Sequence, residues 1–106
     1  MVRVTVIETR QFIKANPLST EETQYLIDHL SQSPDDGVVI QDTGGVRKLR
    51  WNYGGKGKRG GVRIIYYHVS KDGVVYLLDI YAKSAKGTLT KREKKELKDL
   101  VNQLNE

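Results

Sequence analysis

The sequence predicts an α+β fold, an antiparallel β-sheet meander with helices against one face. Between residues 38 and 82, short segments alternate apolar and polar side chains and are separated by turn residues, which is typical of strands joined by turns. On each side of this region, a capping-box pattern precedes an apolar stripe at helical spacing. The 106 residues, 38% of them apolar, are enough for one core, so a single domain over residues 1–106 is expected.

The N-terminal third is predicted to form one strand and two helical segments. β-Branched alternation predicts the strand, and two apolar residues shortly before a proline predict a short helical turn. The longer helix starts at a serine followed three residues later by a glutamate, and it stops before Pro34. The residues concerned are 2–7 for the strand, Phe12, Ile13 and Pro17 for the turn, Ser19 and Glu22 for the helix start, and Thr23, Leu26, Ile27 and Leu30 for its stripe.

The remaining elements are four strands and a C-terminal helix. The strands are predicted at residues 38–40, 47–51, 62–69 and 74–82, with a glycine-rich hairpin loop at 54–61. The last strand is the most apolar and is therefore expected in the middle of the sheet. Thr90 and Glu93 form the second capping box. The stripe of the final helix is Leu97, Leu100, Val101 and Leu104.

Composition excludes several classes of site. The chain has no cysteine, which removes disulfides, thiolate nucleophiles and zinc–thiolate sites. No apolar run approaches the roughly 20 residues of a membrane span, and the charged, alternating N-terminus is unlike a signal peptide. A cytoplasmic protein with no membrane partner is therefore expected. No cluster of histidines and carboxylates has metal-ligand spacing, and no cofactor is predicted.

The distribution of charge points to an anionic partner. The chain has 18 Lys+Arg and 13 Asp+Glu. Residues 1–42 carry three basic and seven acidic side chains, whereas residues 43–71 carry eight basic and none acidic. Cations without local carboxylates repel one another unless an anion neutralises them. Because apolar and aromatic residues interrupt the block, we expect a folded hairpin that presents a cationic surface to nucleic acid.

Residues 55–62 match the pattern G-x-G-x-x-G-x-V, which occurs in nucleotide-binding loops. A dinucleotide fingerprint needs a helix after its glycines, and here a strand is predicted instead. A chain of 106 residues also cannot hold the other parts of a kinase. The segment is therefore interpreted as a loop whose glycines let backbone and cations approach phosphates, with a merely flexible hairpin as the alternative.

Four cations are expected to converge on one face of the sheet. Lys48 and Arg50 alternate along one strand, Arg63 lies on the next strand and Lys83 follows the last strand. Four like charges at one place are unfavourable without an anion, which favours a binding site. The alternative is four independent surface cations.

Histidines and aromatic residues give weaker signals. His29 lies off the apolar stripe of its helix and is expected to be exposed, and His68 has the opposite strand parity from Arg63, which favours a structural role. Trp51, Tyr53 and Tyr81 lie near cations, so they either stack on bases or pack in the core.

The segments TGGVRKLRWNYGGKGKRGGVRIIYY (residues 43–67) and LLDIYAKSAKGTLTKREKKEL (residues 77–97) resemble the RelE/HigB superfamily of toxins from type II toxin–antitoxin pairs, and the HigB-like branch most. The pieces GGxRK, KGKRGGxRIIYY and YAK occur in the family's order, and the similarity covers nearly the whole chain. The resemblance implies a RelE-like fold with N-terminal helices and a C-terminal helix.

The resemblance also implies a function. Such toxins are ribosome-dependent messenger RNA endonucleases that need no metal, inhibit translation, and are held inactive by an antitoxin, here expected to be a helix-turn-helix DNA-binding protein. By position, the implied catalytic residues are Lys48, Arg50, Arg63 and Lys83. The expected RNA-binding residues are Arg47, Trp51, Tyr53, Lys56, Lys58, Arg59 and Tyr81. The best-known branch also uses a tyrosine after the last cation, and this chain has none after Tyr81.

The residue types suit RNA cleavage. When a 2′-hydroxyl attacks its own phosphate, arginines such as Arg50 and Arg63 can stabilise the phosphorane. A lysine crowded by other cations releases its proton more readily, so either Lys48 or Lys83 is a candidate for proton transfer. Two alternatives stay open: a ParE-like inhibitor of DNA gyrase, which shares the fold, and an RNA-binding domain without catalysis.

Overall fold

The computed structural model describes residues 4–52, 61–85 and 87–105. Each helix begins where the sequence places a polar cap. Ser19 and Thr90 each accept a hydrogen bond from the glutamate N–H three residues later, and that glutamate accepts one from the cap residue's N–H, which completes both predicted capping boxes. The elements are β1 (Thr5–Glu8), α1 (Arg10–Ala15), α2 (Thr20–Gln32), β2 (Val38–Val39), β3 (Arg47–Trp51), β4 (Val62–Val69), β5 (Val74–Ala82) and α3 (Lys91–Leu104).

The five strands found among the described residues form one sheet in the order β1-β5-β4-β3-β2. Strands β2 to β5 make the predicted antiparallel meander, and β1 joins its end in parallel with β5, with Thr5 opposite Val74. The central position belongs to β4. The expectation that β5 is the middle strand is therefore off by one place, although β5 is an interior strand because β1 covers its outer edge.

Helices cover both faces of the sheet, so the expectation of helices against one face is wrong. Along β4, Ile64 packs in the cluster that contains Phe12, Leu26 and Leu30 of the N-terminal helices, whereas its neighbour Ile65 packs in the cluster that contains Val101 of α3. Successive residues of a strand point to opposite faces. The apolar side chains of β4 are thus buried on both sides, which a single helical layer could not achieve.

A β-irregularity lies between Ile65 and Tyr66 in the pairing of β4 with β5. Tyr66 is fully buried in the first cluster, and its hydroxyl accepts a hydrogen bond of 2.8 Å from the N–H of Gly37. This contact links the α2–β2 loop to the central strand.

No helix in residues 4–52, 61–85 and 87–105 has the length and hydrophobicity that a membrane-spanning segment requires.

Candidate nucleic-acid interface

The register of the sheet places two arginines side by side. Arg50 of β3 is the direct partner of Arg63 of β4, and Arg63 is the partner of Tyr81 of β5. Directly opposite residues of antiparallel strands point to the same face, with Cβ atoms about 4.5–5.5 Å apart. Arg50, Arg63 and Tyr81 therefore form a row across three strands, on the face that α3 also covers.

A second row of residues lies just beyond the last paired residues of β3, β4 and β5. Continuing the register from Trp51–Val62 and Val62–Ala82 places Asn52 and Lys83 on either side of Gly61. The backbone N–H of Lys83 donates to the carbonyl of Gly61 at 3.5 Å, which keeps this end of β5 beside β4. Since glycine has no side chain, it leaves a gap between Asn52 and Lys83.

These two rows enclose a pocket of about 220 Å³, lined by Arg50, Asn52, Gly61, Arg63 and Lys83. Of the five lining residues in the described part of the chain, three are cations and none is an acid. Arg50 and Lys83 are exposed, and Arg63 is half-buried. Guanidinium and ammonium groups only donate hydrogen bonds, so this arrangement is chemically suited to an anion with several oxygens, such as a phosphodiester.

The structure brings together three of the four predicted catalytic residues. Lys48 lies on the same strand and the same face as Arg50, as the alternation predicts, but its partner across the sheet is the buried Ile65. It is half-buried and does not line the pocket. Lys48 is therefore one row behind Arg50 and Arg63, where it adds positive charge near the pocket without lining it, and its catalytic role stays a prediction.

Comparison with known proteins identifies the family. The family model of the RelE toxin of the RelE/RelB toxin–antitoxin system matches residues 6–106. The chain belongs to the RelE toxin family. A solved structure of the E. coli toxin RelE, a double mutant in the free state, is similar in fold with a TM-score of 0.57. It is 13% identical in sequence, and the match covers 79% of this chain and 87% of that chain.

Membership of this family makes the protein the toxin of a toxin–antitoxin pair, with an antitoxin as its partner. The predicted RelE-like fold is confirmed by the family model and the structural match.

Arg47, a predicted RNA-binding residue, lies on the opposite face of the RelE-family sheet from Lys48 and Arg50 because it has the other strand parity. Its guanidinium donates to the carbonyls of Asp35 at 3.1 Å and Gly37 at 2.7 Å, and its Nη2 is 3.5 Å from the Asp35 carboxylate. These contacts hold Arg47 against the α2–β2 loop. A role in RNA binding stays a prediction, without support from this geometry.

The two described aromatic candidates of the toxin differ in position. Trp51 packs against the first core cluster, and its ring centroid lies 5.2 Å from that of His29. It is on the opposite face from the cationic pocket. Tyr81 lies in the row of Arg63, on the pocket face, and packs against the second cluster. Of the two, Tyr81 is the one beside the pocket.

Both histidines of the toxin contact carboxylates of the α2–β2 loop. His68 Nδ1 is 2.8 Å from Asp35 Oδ1, and His29 Nε2 is 2.7 Å from Asp36 Oδ2. His29 was expected to be exposed, but it is half-buried because its ring lies against Trp51. His68 is on the face opposite to Arg63, as its parity predicts, and it contacts the loop and not the pocket.

Four predicted RNA-binding residues lie outside the described residues: Tyr53, Lys56, Lys58 and Arg59. Conversely, sequence reasoning missed Asn52, which lines the pocket. The signal was available, because Asn52 continues the alternation of Lys48 and Arg50 and so belongs to the same face. Within the described part of the chain, no three His, Cys, Asp or Glu side chains group together as they would around a metal ion.

Proposed function

We propose that this toxin is a ribosome-dependent messenger RNA endonuclease of the HigB-like branch, which needs no metal and inhibits translation by cutting translated messages. The observation that carries the proposal is the convergence of Arg50, Arg63 and Lys83 on one pocket whose described lining includes no acid. Membership of the RelE toxin family supports it as well. The proposed substrate is messenger RNA bound to the ribosome, which the toxin would encounter in the cytoplasm.

The proposed reaction is an internal phosphoryl transfer. The 2′-oxygen attacks the adjacent phosphorus, the bond from phosphorus to the 5′-oxygen breaks, and the products are a 2′,3′-cyclic phosphate and a 5′-hydroxyl. Extra negative charge develops on the phosphorane oxygens. Arg50 and Arg63 stand side by side with up to five N–H donors each, so they can hold these oxygens more tightly in the transition state than in the substrate.

Lys83 is the lining residue suited to proton transfer. Guanidinium groups stay protonated, whereas an amine can take a proton from the attacking hydroxyl or give one to the leaving oxygen. Lys48 lies one row away, so the geometry favours Lys83 over Lys48 for this role. Both were candidates from the sequence. Lys48 is assigned to the electrostatic attraction of the RNA backbone.

The partner that silences the toxin is proposed to be a helix-turn-helix antitoxin encoded with it. Free toxin would arrest growth, so the antitoxin must prevent the pocket from reaching messenger RNA. The antitoxin could block the pocket by neutralising its cations. Arg50, Arg63 and Lys83 have no acid beside them in the described lining, so they would attract carboxylates of a protein as well as phosphates of RNA.

The first experiment is brief induction of the chain in bacteria, followed by mapping of messenger 5′ ends by primer extension, with and without a block of translation initiation. Cuts within coding regions, bearing 5′-hydroxyl ends and absent under the block, are the expected result. Intact messages with DNA damage would instead indicate a gyrase inhibitor. Intact messages without damage would indicate RNA binding without catalysis.

Variants then separate the roles of the two lysines. We expect Lys83→Arg, which keeps the charge but cannot exchange a proton at neutral pH, to lower the single-turnover cleavage rate on programmed ribosomes by on the order of 10²–10⁴-fold with little change in binding. Lys48→Arg, the matched control, should cleave at nearly the wild-type rate. Equal losses in both variants would contradict the assignment to Lys83.

The arginines are expected to act on the cleavage rate, whereas Lys56, which lies outside the described residues, is expected to act on affinity. Arg63→Ala should abolish cutting, because it removes charge stabilisation of the phosphorane. Lys56→Ala should mainly weaken binding, so its cleavage rate at saturating ribosomes should stay near that of wild type. The same loss of rate at saturation in both variants would contradict this division.

A further inference from the structure

The pocket contains one side chain that its proposed chemistry does not use. Arg50, Arg63 and Lys83 carry the positive charge, Gly61 provides the floor, and Asn52 is neutral. A neutral amide adds little to phosphate binding beside three cations. It does, however, both donate and accept hydrogen bonds, which the cationic side chains among the described lining residues cannot do. Its place in the pocket therefore suggests recognition of a different part of the nucleotide.

Asn52 faces the pocket because of the same alternation that orients the cations. It is two residues after Arg50, hence on the same face, and it is exposed. A Cβ built on Gly61 would lie 3.2 Å from Asn52 Oδ1, so the amide lies close over the glycine. Any larger residue at position 61 would press on this amide. The glycine thus keeps the edge of the amide open to a ligand.

The distance across the pocket matches one nucleotide. Asn52 follows β3 and Lys83 follows β5, with Gly61 of the intervening strand between them. Two interstrand spacings amount to about 9–10 Å. A nucleotide spans a similar length from its phosphate to the far edge of its base. A phosphate held between Arg63 and Lys83, with Arg50 completing the cationic set from β3, therefore leaves its base within reach of the Asn52 side of the pocket.

We propose that Asn52 is the base-reading residue of this site. Its amide would pair with an unstacked base that presents a donor and an acceptor next to each other, as Asn does with adenine in nucleic-acid complexes. Because all nucleotides share the same phosphate, contacts of the cations with the phosphate do not distinguish one base from another. This inference rests on the proposed function, since it concerns the RNA that the pocket cuts.

The test compares cleavage profiles over many codons, obtained by sequencing the 5′ ends produced on translated messages. For Asn52→Ala, the rates at preferred sites should fall on the order of 10- to 100-fold while those at poor sites stay unchanged, so the profile becomes flatter. Arg50→Ala should lower all sites by a similar factor and preserve the profile. Asn102→Ala, an exposed asparagine on α3, is the same-type control and should behave like wild type.

A second variant keeps the amide and moves it. Gly61→Ala places a methyl group against Asn52 and should also flatten or shift the profile. If Asn52→Ala and Gly61→Ala both retain the wild-type profile, the inference is wrong although the toxin is still an endonuclease. If wild type itself cuts no message, the proposed function fails and base reading fails with it.

Discussion

The pairing of Arg50 with Arg63 is the clearest residue-scale sign of function. Like charges directly opposite each other on neighbouring strands destabilise a sheet, and the pocket lining that the structure describes includes no acid to compensate them. An arrangement that costs stability without a ligand is expected where a ligand of opposite charge binds. The side-by-side position of the two arginines is therefore consistent with the proposed binding of an anionic RNA backbone.

We expect Arg50→Gln to raise the free energy of unfolding by about 0.2–1 kcal/mol, because it removes the repulsion from Arg63 and keeps most of the side chain. The gain should be larger at low salt, where charges are less screened. Urea unfolding at low and high salt measures it. A loss of stability at low salt would show that the two guanidinium groups do not repel each other in the folded protein.

Tyr66 is a second residue whose environment has a measurable consequence. Burial raises the pKa of Tyr66 above its ordinary value of 10.0, although the hydrogen bond from Gly37 acts in the opposite direction. The folded protein thus keeps the proton of Tyr66 at pH values where the unfolded chain releases it. Stability from this group is complete below about pH 10 and is lost as the pH rises through the higher folded pKa.

The free energy of unfolding of wild type should therefore fall more steeply above about pH 10 than that of Tyr66→Phe. Urea titrations at about pH 8 and about pH 10.5 measure the difference. Tyr25→Phe is the matched control, because Tyr25 is 61% exposed, and it should follow wild type. If Tyr66→Phe and wild type lost equal stability over this range, the buried hydroxyl would not be the cause.

At the scale of elements, α3 is stabilised by local and tertiary contacts. The capping box of Thr90 and Glu93 pairs N–H groups at its start, and Val101 is buried against the second face of the sheet. Most of its other charged side chains are exposed. The helix therefore depends on a correct start and on one apolar stripe.

We expect Thr90→Ala to lower the free energy of unfolding by about 1 kcal/mol, because an early N–H of α3 loses its acceptor. Hydrogen exchange should become faster in the first turn of α3. Thr88→Ala, an exposed threonine two residues earlier, should change neither quantity. Comparable losses in both variants would mean that the cap contributes nothing specific.

At the scale of the whole molecule, the charge is unevenly distributed. Residues 43–71 carry eight cations and no acid, whereas residues 1–42 carry an excess of acids. The described cations of the pocket lie where the sheet ends near Gly61, and Lys71 lies in the turn at the other end of β4. A field of this kind guides an anionic polymer toward one end of the protein.

Binding of single-stranded RNA should weaken steeply with salt, because each neutralised phosphate releases counterions. Lys83→Ala should reduce the slope of log affinity against log salt by about 0.7, the value for one contact to a single strand. Lys71→Ala removes the same charge from the far end of the sheet and should leave the slope unchanged. Equal changes would mean that net charge matters and position does not. Filter binding across a salt series gives both slopes.

The sequence determined the elements whose signals are local. The bounds of β3, β4 and β5 agree with the predicted segments, because alternation on a half-buried strand is visible in the chain itself, and both capping boxes set their helix starts. Alternation also sufficed to place Lys48 and Arg50 on one face. The family could likewise be inferred from the ordered motifs of residues 43–67 and 77–97, and the family model confirms it.

Strand order and register, and therefore the neighbours of each site residue, follow only from the tertiary structure. The parallel addition of β1 to β5 and the position of α3 on the second face involve contacts between residues far apart in the chain. Register likewise separated Lys48 from the pocket, engaged Arg47 with the α2–β2 loop and brought Asn52 opposite Lys83 across Gly61. Periodicity shows which face a side chain occupies. Only the pairing of strands shows which side chains become its neighbours.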